Sequence, residues 1–202
     1  MKRFLDIAIS FSVIVVLSPF FLIILAVIRA GSKGPAIFKQ ERAGRNGRPF
    51  IFYKFRTMKT NIDPFGASPK SKDDLRLTAV GKWLREYSLD ELPQLFNVLK
   101  GDMSIVGPRP LYMTQMAEWN DRQKKRLLVR PGLTGLAQIS GRGELTREEK
   151  LELDVKYVET TNFWLDIKII LATIAHVFSR KNIYEKKYSQ TELTRGQNSG
   201  ST

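Results

Sequence analysis

Asp90 and Glu91 stand side by side in the segment Ser88-Leu-Asp-Glu-Leu-Pro-Gln-Leu-Phe-Asn-Val-Leu-Lys-Gly101. On a helical wheel at about 100° per residue, Leu89, Leu92, Leu95, Phe96 and Leu99 share one side. Asp90, Glu91, Gln94 and Asn97 share the other, with Val98 among them. A helix N-terminus stabilises anions, which keeps at least one of the two carboxylates ionised. Around them in sequence, Lys54, Arg56, Arg85, Arg109, Arg130 and Arg142 all fall in or beside turns and element ends. Arg109 is fixed between two prolines in Val106-Gly-Pro-Arg-Pro110, and a pre-ordered guanidinium suits bidentate phosphate recognition. The chemistry these residue types suggest is therefore phosphate chemistry at a carboxylate pair. A structural reading competes with it. Ser88-x-x-Glu91 is a capping box, or Asp90 is itself the N-cap with Pro93 in the first turn, where a missing N–H costs nothing. A single arginine near a turn is ordinarily solvated. The chain has no Gly-x4-Gly-Lys-Ser/Thr loop and no Gly-x-Gly-x-x-Gly after a strand, so neither common nucleotide-binding loop is present.

The elements that must position these groups can be read coarsely. Two aromatic-rich runs flank Asn46-Gly47 and predict a β-hairpin over about 36–55. Residues 60–77 are polar and contain Pro64, Gly66 and Pro69, the pattern of a surface loop. Helices fit 80–87 and 89–100, with Gly101 as a C-terminal stop. Gly107-Pro-Arg-Pro110 excludes regular helix and sets a turn. Helical patterns return over 113–129 and 146–159, separated by loops at 130–135 and 140–143 that carry arginines. Asn162 is a candidate N-cap for a helix to about residue 180. Residues 167–178 are apolar apart from Lys168 and His176, the pattern of a core or interfacial helix. His176 receives no role, and from 184 the chain is a polar tail.

The stretch Ile7 to Ile28 holds 22 residues without a charge and has Ser18-Pro19 at its middle. At about 1.5 Å per residue it is long enough to span a bilayer core. The run is too long for a signal peptide. Lys2 and Arg3 precede it, Arg29 and Lys33 follow it, and basic residues prefer the cytoplasmic side. A spanning helix would have to translocate one basic end. A helix bent at Ser18-Pro19 enters and leaves by one face, and the Ser18 hydroxyl is placed to bond a carbonyl freed by the proline. A Pro-kinked spanning helix remains the alternative. Beyond it lies about one domain's worth of chain. There are no cysteines, which excludes disulfides, thiolate catalysis and Cys-based zinc sites, and the single histidine excludes His-rich ones. The net charge of +13 favours anionic partners. Beside a membrane segment these are lipid headgroups and phosphorylated substrates rather than nucleic acid. A basic membrane-anchored binding module fits the charge but gives no reason for Val106–Pro110.

Three motifs together carry a resemblance: Tyr53-Lys-Phe-Arg-Thr-Met58, the run from Ser88 through Arg109-Pro110, and Arg130-Pro-Gly-Leu-Thr-Gly-Leu-Ala-Gln138. They closely resemble the bacterial sugar transferases, the monotopic phosphoglycosyl transferases of glycoconjugate assembly, over essentially the whole chain to about residue 185. The short length resembles the small members, particularly those acting on UDP-diacetylbacillosamine. The resemblance implies a mainly helical α+β fold with a re-entrant membrane helix (1–30) broken at Ser18-Pro19, a catalytic domain (31–183) with interfacial helices around the active site, and the tail (184–202). It implies transfer of a sugar 1-phosphate, N-acetylated by that likeness, from a UDP-sugar to polyprenyl (undecaprenyl) phosphate, with release of UMP. A hexose 1-phosphate transfer for capsule or exopolysaccharide is the alternative. It further implies that Asp90 is the nucleophile of a covalent phosphosugar intermediate, that Glu91 is its dyad partner, and that Mg²⁺ is required and sits against these two carboxylates. Lys54, Arg56, Arg85, Arg109 and Arg142 are the candidate phosphate ligands. Gln138 and Asp154 join them through their family-like settings. The implied location is the cytoplasmic face of a bacterial inner membrane, among membrane lipids, with downstream glycosyltransferases as further partners.

Overall fold

The computed structural model describes residues 1–62, 69 and 71–179. The polar stretch read as a loop over 60–77 is thus described in part. The tail 184–202, and the end of the helix expected to reach 180, lie outside the described residues.

Helix α1 (Lys2–Gly31) runs without interruption through Pro19. Proline has no N–H for the carbonyl four residues back, here that of Val15. Ser18 Oγ donates to that same Val15 oxygen at 2.9 Å, so the orphaned acceptor is satisfied locally. The break expected at Ser18-Pro19 is therefore absent, although the role foreseen for the Ser18 hydroxyl is as expected. By length and composition α1 could cross a membrane. Both of its ends, however, are fastened to the same folded body. Near its start, Lys2 Nζ meets Asp166 Oδ2 at 2.6 Å, and Arg3 donates to the carbonyls of Val98 and Leu99 at 2.6 and 3.0 Å. Asp6 is buried and its Oδ1 accepts from Ser104 Oγ and Ile105 N, each at 3.0 Å. At the far end, Arg56 donates to the carbonyls of Ser32 (2.8 Å), Ile28 (3.4 Å) and Lys33. Along the way α1 contributes to both hydrophobic cores. Ile9, Val13 and Ile14 pack on the first, and Phe21, Ile24 and Ile28 belong to the second. The other side of α1 stays exposed along its length, through Phe4, Phe11, Val15, Val16, Leu22 and Ile23.

Strands β1 (Ile37–Ala43) and β2 (Pro49–Phe55) form the expected antiparallel hairpin, with Lys39 opposite Tyr53 and Phe38 opposite Lys54. Asn46 supplies the left-handed residue of the turn, at φ 56°. Helix α2 (Ala79–Glu86) begins at Thr78, whose hydroxyl accepts from Gly81 N.

The single helix expected over 89–100 is divided. Leu89–Glu91 form a 3₁₀ turn, and α3 spans Gln94–Lys100. Ser88 enters in the left-handed region at φ 56°, and Pro93 has no N–H with which to join the two pieces into one ladder. Gly101, at φ 95°, ends α3 as anticipated.

Strand β3 (Ser104–Val106) leads into the Pro108-Arg109-Pro110 turn. The helix expected over 113–129 is broken into a 3₁₀ segment (Met113–Glu118), α4 (Asp121–Lys124) and a second 3₁₀ segment (Lys125–Leu128). Asn120 restarts the chain there by accepting from Gln123 N. The loop expected over 130–135 contains a strand instead. Strand β4 (Gly132–Thr134) pairs in parallel with β3. Glycines make this crossing possible. A Cβ on Gly107 would lie 2.5 Å from Arg130 O, one on Gly132 2.1 Å from Gly107 N, and one on Gly135 2.2 Å from Gly107 O. The Gly-Pro-Arg-Pro and Pro-Gly-Leu-Thr-Gly motifs are thus two halves of one tight backbone contact. Helices α5 (Leu136–Ile139), α6 (Arg147–Thr160) and α7 (Phe163–Ser179) complete the described residues. Thr146 caps α6 in a capping box with Glu149, and Asn162 Oδ1 accepts from Leu165 N at 2.9 Å. The main core gathers Phe50, Phe52, Leu95, Val98, Met103, Ile105, Val106, Tyr157 and Ile169 between the hairpin, α3, β3, α6 and α7.

Candidate active site

The division of the 89–100 segment decides what the two carboxylates do. Ser88 caps nothing with its side chain, and neither do Asp90 or Glu91. Both carboxylates are buried and turn toward cations. Lys54, from β2, brings its Nζ to 2.7 Å from Asp90 Oδ2 and 3.8 Å from Glu91 Oε1. Arg109, fixed by its flanking prolines and the β3–β4 glycines, donates to Glu91 Oε1 at 2.7 Å. Lys54 lies off the hydrogen-bonding axis of Asp90 Oδ2, so that oxygen is charge-neutralised yet has no aligned donor among the described residues.

Two more arginines close the ring. Arg85, from the end of α2, donates to Thr57 Oγ1 at 2.9 Å and lies close enough to Lys54 to repel it. Arg142, at φ 49°, donates to Ser88 Oγ at 3.1 Å and interacts with Glu91, Arg109 and Asp90. The electrostatics follow from burial and from this crowding. Burial alone would push Glu91 up, but Arg109 first and Lys54 second outweigh it and hold the carboxyl well below the usual range. Burial lowers Lys54, Asp90 opposes that shift, and Arg85 adds to it. Arg142 is lowered by burial as well. Lys54, Arg109 and Arg142 face the two carboxylates and Arg85 stands near Lys54, so positive charge is left over, which equips the site to receive a polyanion such as a pyrophosphate.

Residues 1–180 match the profile described as Bacterial sugar transferase. The chain belongs to that family. A curated relative described as "Uncharacterized sugar transferase EpsL", from Bacillus subtilis, is 42% identical over 97% of the chain and 96% of the relative. "Galactosyl transferase CpsE" of Streptococcus agalactiae is 45% identical over 86% of the chain. "UDP-glucose:undecaprenyl-phosphate glucose-1-phosphate transferase" of Klebsiella pneumoniae is 42% identical over 91% of it. The aligned part covers 41% of the length of each of these last two.

For this family member, the structure places Lys54, Arg109 and Arg142 against Asp90 and Glu91, with Arg85 near Lys54. It does not bring in Arg56. The Arg56 guanidinium is spent on Ser32 Oγ and the carbonyls that end α1, where a cation satisfies orphan acceptors. Arg130 is similarly committed, donating to Gly101 O at 2.8 Å. Asp154 is also held apart from the ring. Its Oδ2 pairs with Arg126 Nη2 at 2.6 Å in a fully buried contact, and Arg126 Nη2 also donates to Arg109 O at 2.6 Å. Asp154 thus touches the site through Arg126 and the Arg109 backbone. Gln138 lies on α5, which packs on the turn carrying Arg142, and both of its amide atoms lack partners among the described residues. Three contributors escaped the sequence reading. Arg42 stacks on the Tyr112 ring at 3.7 Å and interacts with Arg109 and Glu91, and burial pulls it down to about 10. Thr57 and Ser88 orient Arg85 and Arg142. Arg42 follows the strand alternation that places Lys54, because both project from the same face of the hairpin.

Two expected outcomes test this construction. In Gly81→Ala the new Cβ would lie 2.0 Å from Thr57 O, so α2 must retreat from the segment that orients Arg85. A loss of about 1–3 kcal/mol in thermal or denaturant unfolding is expected. Asp154→Ala leaves Arg126 buried without its anion, an expected cost of about 3–5 kcal/mol by the same measurements. An unchanged melting curve in either variant contradicts the packing described.

Proposed function

We propose that the chain transfers a hexose 1-phosphate from a UDP-hexose to undecaprenyl phosphate and releases UMP. The observation that carries this reading is the Asp90–Glu91 pair faced by Lys54, Arg109 and Arg142, within a chain of the bacterial sugar transferase family. The relatives favour a hexose over the N-acetylated sugar that the chain's short length suggested, since their printed names specify galactose and glucose.

An Asp90 carboxylate oxygen attacks the sugar-bearing phosphorus. The bond from that phosphorus to the bridging oxygen breaks, and UMP departs with the electron pair. The phosphosugar is left as an acyl phosphate on Asp90. An oxygen of the lipid phosphate then attacks the same phosphorus and frees Asp90. Lys54, Arg85, Arg109 and Arg142 neutralise the charge that accumulates on the non-bridging oxygens. Glu91 stays ionised and holds Arg109 in place.

The donor set fits Mg²⁺. Two adjacent carboxylates, one with an oxygen lacking an aligned donor, match an ion that takes one or two carboxylates and completes its shell with phosphates and water. Among the described residues no group of three or more His, Cys, Asp or Glu side chains gathers to hold a metal. Asp90 and Glu91 would therefore hold the ion, which when bound withdraws charge from the pyrophosphate.

In this reading α1 enters the membrane from the cytoplasmic side without crossing it. Support comes from its exposed apolar side and from the anchoring of both ends to one folded body, which agrees with the two basic flanks. The test is a panel of UDP-sugars with undecaprenyl phosphate and Mg²⁺, read as UMP release. UDP-glucose or UDP-galactose is expected to react, and turnover only with N-acetylated donors would reject the hexose assignment.

A further inference from the structure

A groove of about 550 Å³ lies between α1, the hairpin and α3. Its floor is apolar and is built from Ile14, Phe21, Leu22 and Leu25 of α1 with Phe55 and Phe96; Ser18 sits midway along it. Its polar rim is Lys39, Tyr53 and Lys100, with Lys100 Nζ donating to Tyr53 Oη at 2.7 Å. The volume falls in the range of about 300–1,000 Å³ typical of ligand pockets.

The groove uses the hairpin face opposite to the one that carries Lys54, and Pro93, two residues after Glu91, also lines it. Strand residues alternate between the two faces of a sheet. The four hairpin residues lining the groove, Ile37, Lys39, Tyr53 and Phe55, share one face, with Lys39 opposite Tyr53 and Ile37 opposite Phe55. Lys54 projects from the other face, to Asp90. Helix α3 closes the free edge of β2, where Asn97 accepts from Tyr53 N and donates to Ile51 O. A lipid whose phosphate rests on Lys39 and Lys100 therefore meets the hairpin on the face that Lys54 does not share.

We propose that this groove binds one anionic membrane phospholipid, with an acyl chain along α1 and its phosphate between Lys39 and Lys100, at a site separate from the reacting lipid phosphate. Two observations select this occupant. The floor is continuous with the exposed apolar side of α1 at Leu22, so a chain can pass from the bilayer into the groove without crossing polar surface. Among the described residues the rim carries two ammonium groups and no acidic side chain, which suits a phosphodiester headgroup. A bound phospholipid would fill the space beside Ser18 and Pro19, and so seat α1 against the hairpin in the membrane. The inference does not depend on which sugar is transferred, nor on whether Asp90 is the nucleophile.

The test uses the purified full chain. It is exposed to vesicles of equal parts phosphatidylglycerol and phosphatidylcholine, or of phosphatidylcholine alone. It is then re-extracted in mild detergent and weighed intact by native mass spectrometry. One retained phosphatidylglycerol is expected from the mixed vesicles and none from the neutral ones. The double variant Lys39→Ala/Lys100→Ala is expected to retain it about 30-fold more weakly, the effect of losing two ammonium contacts to an anionic headgroup. Leu22→Trp fills the floor while keeping both ammoniums, so it is expected to lose the adduct as well, with UMP release in detergent unchanged. Excess undecaprenyl phosphate is expected to leave the adduct in place. Absence of any adduct on the native chain, persistence in both variants, or displacement by undecaprenyl phosphate would overturn the proposal, the last by assigning the groove to the reacting lipid.

Discussion

Asp90→Asn is expected to lower UMP release by about 10⁴- to 10⁶-fold, the range seen when a covalent nucleophile is removed. An amide presents no anionic oxygen to the phosphorus, and its nitrogen would meet Lys54 Nζ, which now stands 2.7 Å from Oδ2, donor against donor. The fold should survive this change. Burial already lowers Lys54, so that side chain can shed its proton once the Asp90 charge is gone. For a chain of this size each kcal/mol of destabilisation moves the melting temperature by about 2–4 °C, so a shift of a few degrees with activity abolished is the expected pattern. Intact-protein mass spectrometry with a UDP-hexose and no lipid acceptor should show a phosphosugar adduct on the native chain and none on the variant. Turnover close to native, or an adduct that persists in Asp90→Asn, would move the covalent role to another residue, with Glu91 the first to examine.

The features that could be read from the sequence were those governed by neighbours along the chain. The hairpin around Asn46-Gly47, the cap at Asn162 and the stop at Gly101 depend on residues a few positions apart, and each is where local chemistry placed it. Local reading failed where a partner came from far away. Lys54 and Arg56 lie two residues apart in one motif and look alike as candidate phosphate ligands. The first reaches Asp90, while the second has left the strand and meets the carbonyls at the end of α1. The choice was made by α1 packing across the hairpin, which no spacing within the motif reports. The same holds for Asp154, whose commitment to Arg126 spans 28 residues, and for β4, which looked like a loop because its pairing with β3 depends on glycines in two separate motifs. The capping alternative for Ser88, Asp90 and Glu91 was reasonable on local grounds. It lost because Pro93 and the left-handed Ser88 split the helix, which released both carboxylates to the cations.

Arg109→Ala tests that release most directly, because Glu91 is held ionised by its surroundings against the cost of burial. The ordinary value for this carboxyl is 4.5, and in the folded chain it lies well below that, with Arg109 the largest favourable cause. A carboxyl lowered in the folded state adds stability that is complete above its unfolded value and is lost as the pH falls through its folded value. In the native chain, therefore, Glu91 should not titrate in the ordinary carboxylate range, and the acid limb of kcat/KM there should belong to other groups. Removing Arg109 takes away the 2.7 Å contact and leaves burial opposed mainly by Lys54, which is 3.8 Å away. The Glu91 value then rises toward or beyond its ordinary one. A new acid limb should appear at higher pH, and the variant should gain stability relative to the native chain as the pH is lowered. Near neutral pH, loss of one pre-ordered guanidinium at the developing phosphate charge should cost about 10²- to 10³-fold in kcat. Arg109→Lys should recover part of the rate but not the native profile, because an ammonium restores the charge without the planar fork. A pH–rate profile of Arg109→Ala that parallels the native one, merely scaled down, would mean that Arg109 binds substrate without setting the charge on Glu91.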